Sequence, residues 1–253
     1  MIDAHAHLLN EKFDSDEIVS LMKTDKLEYI VNIGTDVTDS RAGAILASKN
    51  KNVFSTVGIH PEYVNQISED DIKKIDELAT EKKVVAIGEI GLDYHYGADD
   101  KEKQRQKWLF IEQIKISSKH KLPIVIHCRD AADDVLEILK ANKNLLGHGV
   151  VMHCYSEGAQ YMPKFRELGC YFSFTGNITF KKTDRSYLKD IPFERIMVET
   201  DAPWLSPEPL RGTTNYPKNV WLTAQKIADT LEMPLDKFDK IVTENTKRFY
   251  RLP

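Results

Sequence analysis

Two histidines separated by a single residue, His5 and His7, stand at the end of a short apolar run near the start of the chain. On a β-strand, side chains at positions i and i+2 point to the same face, two steps of about 3.3 Å apart. Both imidazoles can therefore reach one metal ion. A polar strand end explains the same pair without any metal, so the hypothesis of a metal site needs further ligands.

Four other ionisable residues follow apolar, β-branched runs in the same way: Glu89, His127, His153 and Asp201. Such runs predict strands, so each of these residues is expected at the end of a strand. Imidazole ligands favour Zn²⁺-type ions, whereas carboxylates favour Mg²⁺ or Mn²⁺. The pattern predicts that all six residues bind divalent metal.

Six ligands are more than the three that a catalytic zinc with an open position uses. They match two divalent ions (Zn, Mg or Mn) about 3.5–4 Å apart, as in two-metal hydrolases. Two cations lower the pKa of a shared water and give a hydroxide nucleophile at neutral pH. We predict that His5, His7 and Asp201 bind one ion and that His127 and His153 bind the other. Glu89 is predicted to bridge the two ions. Asp201 is also predicted to accept the remaining proton of the water.

Eight apolar runs alternate with longer amphipathic segments, and these elements must position the ligands. The predicted strands are Met1–His5, Tyr29–Ile33, Val53–Ile59, Val84–Glu89, Ile124–His127, Val150–His153, Tyr171–Phe174 and Arg195–Glu199. The predicted helices cover 16–24, 38–49, 68–81, 100–119, 130–141, 157–168, about 184–190, 218–231 and a closing segment Leu235–Tyr250. This alternation predicts an α/β fold, a (β/α)₈ TIM barrel with ligands at the C-terminal ends of its strands. A seven-stranded or distorted barrel, without a regular helix at 184–190, would give almost the same sequence pattern.

The length and composition favour a single domain over residues 1–253, which we identify with the predicted metal-dependent hydrolase barrel. The chain has 253 residues, 42% of them hydrophobic, and no repeat or linker. No run approaches the roughly 18–20 apolar residues of a membrane span, and no secretory signal is apparent. Three cysteines without a CxxC pair favour free thiols in the cytosol. No segment indicates a protein partner, and with a net charge of −4 any contact with nucleic acid is expected only within a cleft.

Alternation along the strands also predicts where the neighbours of the ligands point. Cys128 and Cys154 each follow a ligand histidine and are expected to face the helices as small buried hydrophobes. Asp3 and Glu199 share a face with His5 and Asp201 and are candidates for carboxylates that orient ligands. A plain buried hydrogen-bonding role fits them as well.

Four residues are candidates for contact with substrate. Arg129 and Tyr155 share a face with His127 and His153, one step further out, and Arg129 could reach a phosphate with its planar fork or form a salt bridge to a neighbouring aspartate. His60 follows the third run and could bind substrate, donate a proton or lie in solvent. Arg211 lies in a loop after strand eight, where barrels often bind phosphate. His120 and His148 are expected at the surface, and His95 stays undecided.

The chain resembles the TatD-type metal-dependent deoxyribonucleases, within the amidohydrolase-like barrel superfamily. The blocks that carry the resemblance are Ile2–Leu8, Val57–Pro61, Ile87–Tyr94, Leu122–Asp130, His153–Ser156, Thr175–Gly176, Glu199–Trp204, Arg211–Gly212 and Asn245. The chain departs from the family pattern at two places. After His153 and Cys154 the family commonly has an aromatic residue, a serine and a glycine, whereas here Glu157 precedes Gly158. After Arg211 and Gly212 the family frequently has a basic residue, whereas this chain has Thr213 and Thr214.

The resemblance implies a TIM-barrel hydrolase that cleaves ester bonds of DNA, often as an exonuclease. It also implies that the family's metal ligands correspond to the six residues named above, with His60 lining the site. The alternative is an amidohydrolase-type enzyme acting on aminoacyl esters or cyclic amides. Many such relatives bridge their metals with a carboxylated lysine from strand four, where this chain has Glu89, and this difference favours phosphoesters by analogy.

Overall fold

Eight parallel strands form one sheet in chain order in the computed structural model, which describes residues 1–253. The strands are β1 Ile2–Ala6, β2 Tyr29–Asn32, β3 Val53–Val57, β4 Val84–Asp93, β5 Ile124–Arg129, β6 Val150–Met152, β7 Tyr171–Phe174 and β8 Ile196–Val198. Each pairs in parallel with the next. The last strand meets the first beyond its own end: Ala6 bridges Ala202, and the Asp201 amide donates to the carbonyl of His5 over 2.9 Å. The sheet is therefore a nearly closed barrel, which confirms the predicted (β/α)₈ fold.

Helices cover the outside of the barrel. They are α1 Ser15–Leu21, α2 Val37–Lys49, α3 Glu69–Leu78, α4 Asp100–His120, α5 Ala132–Ala141, α6 Met162–Glu167, α7 Val220–Thr230 and α8 Leu235–Tyr250. The predicted helix at 157–168 is shorter because Gly158 adopts a left-handed φ of 77°, and the helix starts only at Met162, with Pro163 in its first turn. The segment predicted at 184–190 is a 3₁₀ turn, Ser186–Asp190. None of the helices combines the length and the apolar character that crossing a bilayer requires.

Strand β4 continues four residues past its predicted end at Glu89. Its register with β5 shifts between Ile87 and Ile90, and Asp93 pairs with Arg129 at the open end of the barrel. Gly91 makes this pairing possible: it has a φ of 144°, and a Cβ there would lie only 2.0 Å from the carbonyl oxygen of His127. The extension therefore brings Asp93 to the barrel mouth, near His127.

The C-terminal helix closes the opposite end of the barrel. Phe249 packs against Tyr171, the first residue of β7, with ring centroids 5.0 Å apart, and the Tyr250 hydroxyl donates to the carbonyl of Ala4. Both aromatic residues belong to a buried cluster that includes strand residues such as Val125 and Met197. Burial of this apolar surface stabilises the N-terminal end of the strands and leaves the C-terminal ends open for a site.

Candidate metal centre

The first group of candidate ligands lies where β1 and β8 meet. The Nε2 atoms of His5 and His7 are 3.3 Å apart, and Asp201 Oδ1 lies 3.5 Å from His5 Nε2 and 3.3 Å from His7 Nε2. His5 lies within β1, His7 directly follows the end of that strand, and both side chains are buried. Three ligand atoms thus converge from two neighbouring strands.

The second group surrounds Glu89. Its Oε1 atom lies 2.8 Å from both His127 Nδ1 and His153 Nε2. Its Oε2 atom faces the first group instead, 3.4 Å from His5 Nε2 and 3.9 Å from His7 Nε2. The two oxygens of one carboxylate therefore face two different sets of histidines, which is the arrangement expected of a bridging ligand.

The spacing within the first group suits a metal ion. Ligand bonds of about 2.1 Å place neighbouring ligand atoms about 3.0 Å apart in octahedral geometry and about 3.4 Å apart in tetrahedral geometry. The contacts among His5, His7 and Asp201 are 3.3–3.5 Å. His5, His7 and Asp201 form one group of residues able to hold an ion, and Glu89, His127 and His153 form another. The donor set, four imidazoles and two carboxylates, fits Zn, Mg or Mn.

The electrostatics of the cluster keep its carboxylates ionised. Burial opposes the charge of Glu89, but His153, His127 and His5 outweigh it and hold its pKa well below the ordinary value. Burial likewise opposes the charge of Asp201, and a hydrogen bond from His7 together with the nearby His5 lowers its pKa. Both groups are thus available as anionic ligands at neutral pH.

The histidines of the second group hold protons strongly in the absence of metal. Burial lowers the pKa of His127, but Asp93 and Glu89 raise it to about 9. Burial also lowers the pKa of His153, but Glu89 and Glu199 outweigh burial and raise this pKa well above its usual value. A metal ion must therefore displace protons here, since only the neutral imidazole is a ligand.

Glu199 orients His153. Its Oε1 atom lies 3.0 Å from His153 Nδ1 and accepts a hydrogen bond from the amide of Cys154 at 2.7 Å. This contact directs the Nε2 atom of His153 towards Glu89, in the carboxylate–histidine arrangement common at metal sites.

Asp3 acts on the backbone instead of on a ligand side chain. Its carboxyl group accepts hydrogen bonds from the amide and hydroxyl of Thr200 at 2.9 and 2.5 Å and from the amide of His5 at 3.3 Å. Burial raises the pKa of Asp3 to about 8. Asp3 thus positions the turn before Asp201, whose own φ of 55° lies in the left-handed region.

Asn215 holds the same turn from the other side. Its side-chain amide donates to the carbonyls of Thr200 and Trp204, at 2.9 and 2.8 Å, and it is fully buried. Neither Thr200 nor Asn215 was predicted from the sequence, because a buried polar side chain in a loop carries no periodic signal.

Asp93 is the residue closest to the metal ligands that sequence reasoning missed. Its Oδ2 atom lies 2.9 Å from His127 Nε2, while His127 Nδ1 faces Glu89. Asp93 thus orients His127 as Glu199 orients His153. It is four residues after Glu89 on the same strand, a spacing that would have revealed it had the strand been predicted to continue.

His60 lies beside the second group. Its Nδ1 atom accepts a hydrogen bond from the amide of Glu62 at 3.2 Å, so the neutral ring carries its proton on Nε2. That nitrogen lies 3.7 Å from Glu89 Oε1. Burial and the nearby His127 lower the pKa of His60 to about 3, so the ring is neutral. His60 can therefore donate a hydrogen bond into the site. With Asp93 and His127 it also forms a further group of residues able to hold a metal ion.

A cavity of about 920 Å³ opens above the cluster. It is lined by all the candidate ligands except His5, which is fully buried beneath it, and by His60 and Arg129. Arg129 is exposed at the end of β5, and its Nη1 atom lies 3.5 Å from the Tyr96 hydroxyl. It forms no ion pair with Asp130 or Asp133, the alternative that the sequence left open, and it lines the cavity.

Two of the four candidate substrate residues do not line the cavity. Tyr155 is buried among aromatic rings, with Phe172 at 5.1 Å and Tyr187 at 5.6 Å, and its hydroxyl donates to the carbonyl of Gly158. Arg211 is exposed and packs over the ring of Phe180 at 4.3 Å. The structure contradicts the predicted direction of the Tyr155 side chain, because β6 ends at Met152 and strand alternation no longer determines it.

The same early end of β6 overturns the prediction for Cys154. This residue has a φ of 45°, lines the cavity and places its Sγ atom 3.3 Å from Thr175 Oγ1. Cys128 packs partly against the core but also lines the cavity. Burial raises the pKa of Cys154 to about 12, so it is a neutral thiol.

The remaining histidines lie outside the cluster. His120 contacts Asp76 at 2.7 Å, and His95 contacts Asp130 at the same distance near the surface. His148 is half-buried in the loop before β6. None of the three is among the residues able to hold a metal ion.

We expect Tyr155→Phe to leave hydrolysis within twofold of wild type but to lower the free energy of unfolding by about 0.5–1.5 kcal/mol, since one partly buried hydrogen bond, to the carbonyl of Gly158, is lost. Steady-state kinetics and urea unfolding measure the two effects. A tenfold loss of kcat/KM in a fully folded variant would restore Tyr155 as a substrate contact.

Comparison with known proteins relates the whole chain to metal-dependent hydrolases. A family model described as TatD related DNase matches residues 2–251. The metal-dependent hydrolase YabD of Bacillus subtilis strain 168 is 38% identical over 256 residues, covering 100% of this chain and 99% of the relative. The metal-dependent hydrolase YcfH of Escherichia coli K12 is 31% identical over 259 residues, covering 100% of this chain and 96% of that relative. The crystal structure of YJJV, a TatD homologue from Escherichia coli K12, is similar with a TM-score of 0.93 and 25% identity, covering 100% and 98%.

Proposed function

The chain belongs to the TatD-related DNase family of metal-dependent hydrolases, and on this premise we propose that it hydrolyses phosphodiester bonds of DNA, removing nucleotides from an end with two bound divalent ions. The observation that carries the proposal is the position of Glu89. One of its oxygens faces His127 and His153, and the other faces the histidines of β1. This arrangement supports two adjacent ions, which suit in-line displacement at phosphorus.

The proposed ions are held by the six predicted ligands. His5, His7 and Asp201 would hold one ion, His127 and His153 would hold the other, and Glu89 would bridge them. Bound there, divalent ions would supply a hydroxide nucleophile near neutral pH and would neutralise charge that develops on the phosphate.

The protein's own groups then complete the reaction. Asp201, ionised at neutral pH, can accept a proton from the attacking water. His60 offers its Nε2–H to an oxygen of the substrate, and Arg129 offers a planar fork to a non-bridging phosphate oxygen. A water oxygen bonds to phosphorus as Asp201 takes up one proton of that water, and the bond to the leaving nucleoside oxygen breaks. Solvent water protonates the leaving oxygen, and Asp201 returns its proton to solvent.

The competing function is hydrolysis of aminoacyl esters or cyclic amides on the same scaffold, since one fold hosts many chemistries. A panel of substrates distinguishes this function from hydrolysis of DNA.

The three cysteines are free thiols, and we propose the reducing cytosol as the compartment.

We expect protein loaded with Zn²⁺ or Mn²⁺ to shorten end-labelled oligonucleotides progressively, and EDTA to abolish the reaction until metal is restored. The measurement is a time course on single- and double-stranded DNA beside aminoacyl esters and cyclic amides. Intact DNA together with rapid cleavage of an ester or amide would replace the proposed function by its competitor.

A further inference from the structure

Two exposed aromatic side chains lie on opposite sides of the cavity. Trp204 follows β8 and is 46% exposed, and Tyr96 follows β4 and is 76% exposed. Strands β4 and β8 are four places apart in a ring of eight, so these residues lie across the mouth from each other. Large aromatic rings left open to solvent beside a reaction site suit a ligand with flat faces.

Each ring is anchored next to the proposed chemistry. The Trp204 ring lies 4.9 Å from the ring of His7 in an edge-on arrangement. The guanidinium of Arg129 lies 5.3 Å above the ring of Tyr96. One aromatic surface therefore adjoins the first ligand group, and the other adjoins the single arginine that can hold a phosphate.

The charge of the cavity does not suit a long polyanion. Arg129 is the one lysine or arginine among its lining residues. The segments that follow β1, β2 and β3, including the first turn of α2, contribute an acidic wall, which consists of Glu11, Asp36, Asp39 and Glu62. Proteins that follow a nucleic-acid backbone do so with several cationic contacts, each of which neutralises a phosphate. The two proposed ions and Arg129 together provide positive charge for the scissile phosphate and its immediate neighbour, and no cationic side chain lines the cavity for phosphates beyond these.

We propose that Trp204 and Tyr96 stack on the two bases that flank the scissile phosphate, and that the preferred substrates are therefore very short oligonucleotides, of which a dinucleotide already makes the main contacts. This inference rests on the proposed function and names its substrate class. Base stacking provides the affinity, Arg129 holds one phosphate, and the acidic wall discourages further backbone.

The test compares a thymidine dinucleotide, an abasic dinucleotide with the same backbone and a thymidine 20-mer. We expect kcat/KM for the thymidine dinucleotide to exceed that of the abasic one by about tenfold or more, and to lie within about fivefold of that of the 20-mer. The slope of log kcat/KM against log salt is expected near −0.7 for both thymidine substrates, the value for about one phosphate contact on a single strand.

Variants link the preference to the two rings. In Trp204→Ala and in Tyr96→Ala we expect the ratio between the base-bearing and abasic dinucleotides to fall towards one, with Trp204→Phe recovering most of it. Trp108→Ala is the matched control, because Trp108 is a comparably exposed tryptophan, 37% exposed, that does not line the cavity. It should leave the ratio unchanged.

The outcomes separate this inference from the function on which it rests. If wild-type protein hydrolyses none of the three substrates, the phosphodiesterase proposal fails and this inference fails with it. If it hydrolyses them but prefers the 20-mer more than tenfold, or treats abasic and base-bearing dinucleotides alike, stacking is overturned and the phosphodiesterase proposal stands.

Discussion

Asp201→Asn is expected to lower kcat by about a thousandfold on any substrate that the enzyme hydrolyses, the scale of a lost general base. The asparagine amide fills the same space but cannot accept a proton from water. It also replaces an anionic oxygen that lies 3.3 Å from His7 Nε2 and 3.5 Å from His5 Nε2. Two roles of one carboxylate are thus removed together.

Kinetics on bis(4-nitrophenyl) phosphate and on an end-labelled oligonucleotide measure the loss, and elemental analysis measures the metal content. We expect about one ion to remain, on the group formed by Glu89, His127 and His153, because that group does not include Asp201. Asp184→Asn makes the same change at an exposed aspartate outside the cavity and should behave as wild type. Activity within tenfold of wild type in Asp201→Asn would remove Asp201 from the mechanism.

Loading the protein with metal should raise its unfolding temperature by about 10 °C or more. Each ion, at a free concentration of about 100 times its dissociation constant, adds about 2.7 kcal/mol to the free energy of unfolding. In a chain of this size, that amount corresponds to several degrees. The effect is expected to grow between pH 6 and pH 8. His127, with a pKa of about 9 in the metal-free protein, must lose its proton before it can bind an ion.

The metal-free protein changes in the opposite direction over this range. The pKa of His127 is raised from its ordinary value of about 6.5, so its contribution to stability is complete below that pH and is lost as the pH rises through about 9. The pKa values of Asp201 and Glu89 are lowered, so their contributions are present above the ordinary carboxyl range and are lost only in acid. Protons thus stabilise the metal-free cluster near pH 6, and metal replaces them at higher pH.

Differential scanning calorimetry at pH 6, 7 and 8, at fixed free Zn²⁺ or Mn²⁺, measures this difference. Glu89→Gln should abolish most of the difference in unfolding temperature between metal-loaded and metal-free protein, because it weakens the binding of both ions at once. Glu137→Gln makes the same change at an exposed glutamate and should leave this difference unchanged. A gap that stays constant or narrows towards pH 8, or two ions retained by Glu89→Gln, would contradict the bridging assignment.

The amino-acid sequence determined the barrel and the position of the six candidate ligands. Both follow from local rules: apolar β-branched runs form strands, and the ends of parallel strands meet at one end of a barrel. His127 and His153 lie 26 residues apart in the sequence, yet the rule brings their side chains to one carboxylate, Glu89.

Only the tertiary structure decided what surrounds these ligands. Strand alternation stops at the end of a strand, so the left-handed turn at Cys154 brought its thiol to the cavity and sent Tyr155 into the core. The register shift within β4 brought Asp93 to His127, and the folding of the β4 and β8 loops placed Tyr96 and Trp204 across the mouth. The direction of a side chain beyond a strand end depends on backbone turns and on packing partners distant in the chain, which no local pattern of residues encodes.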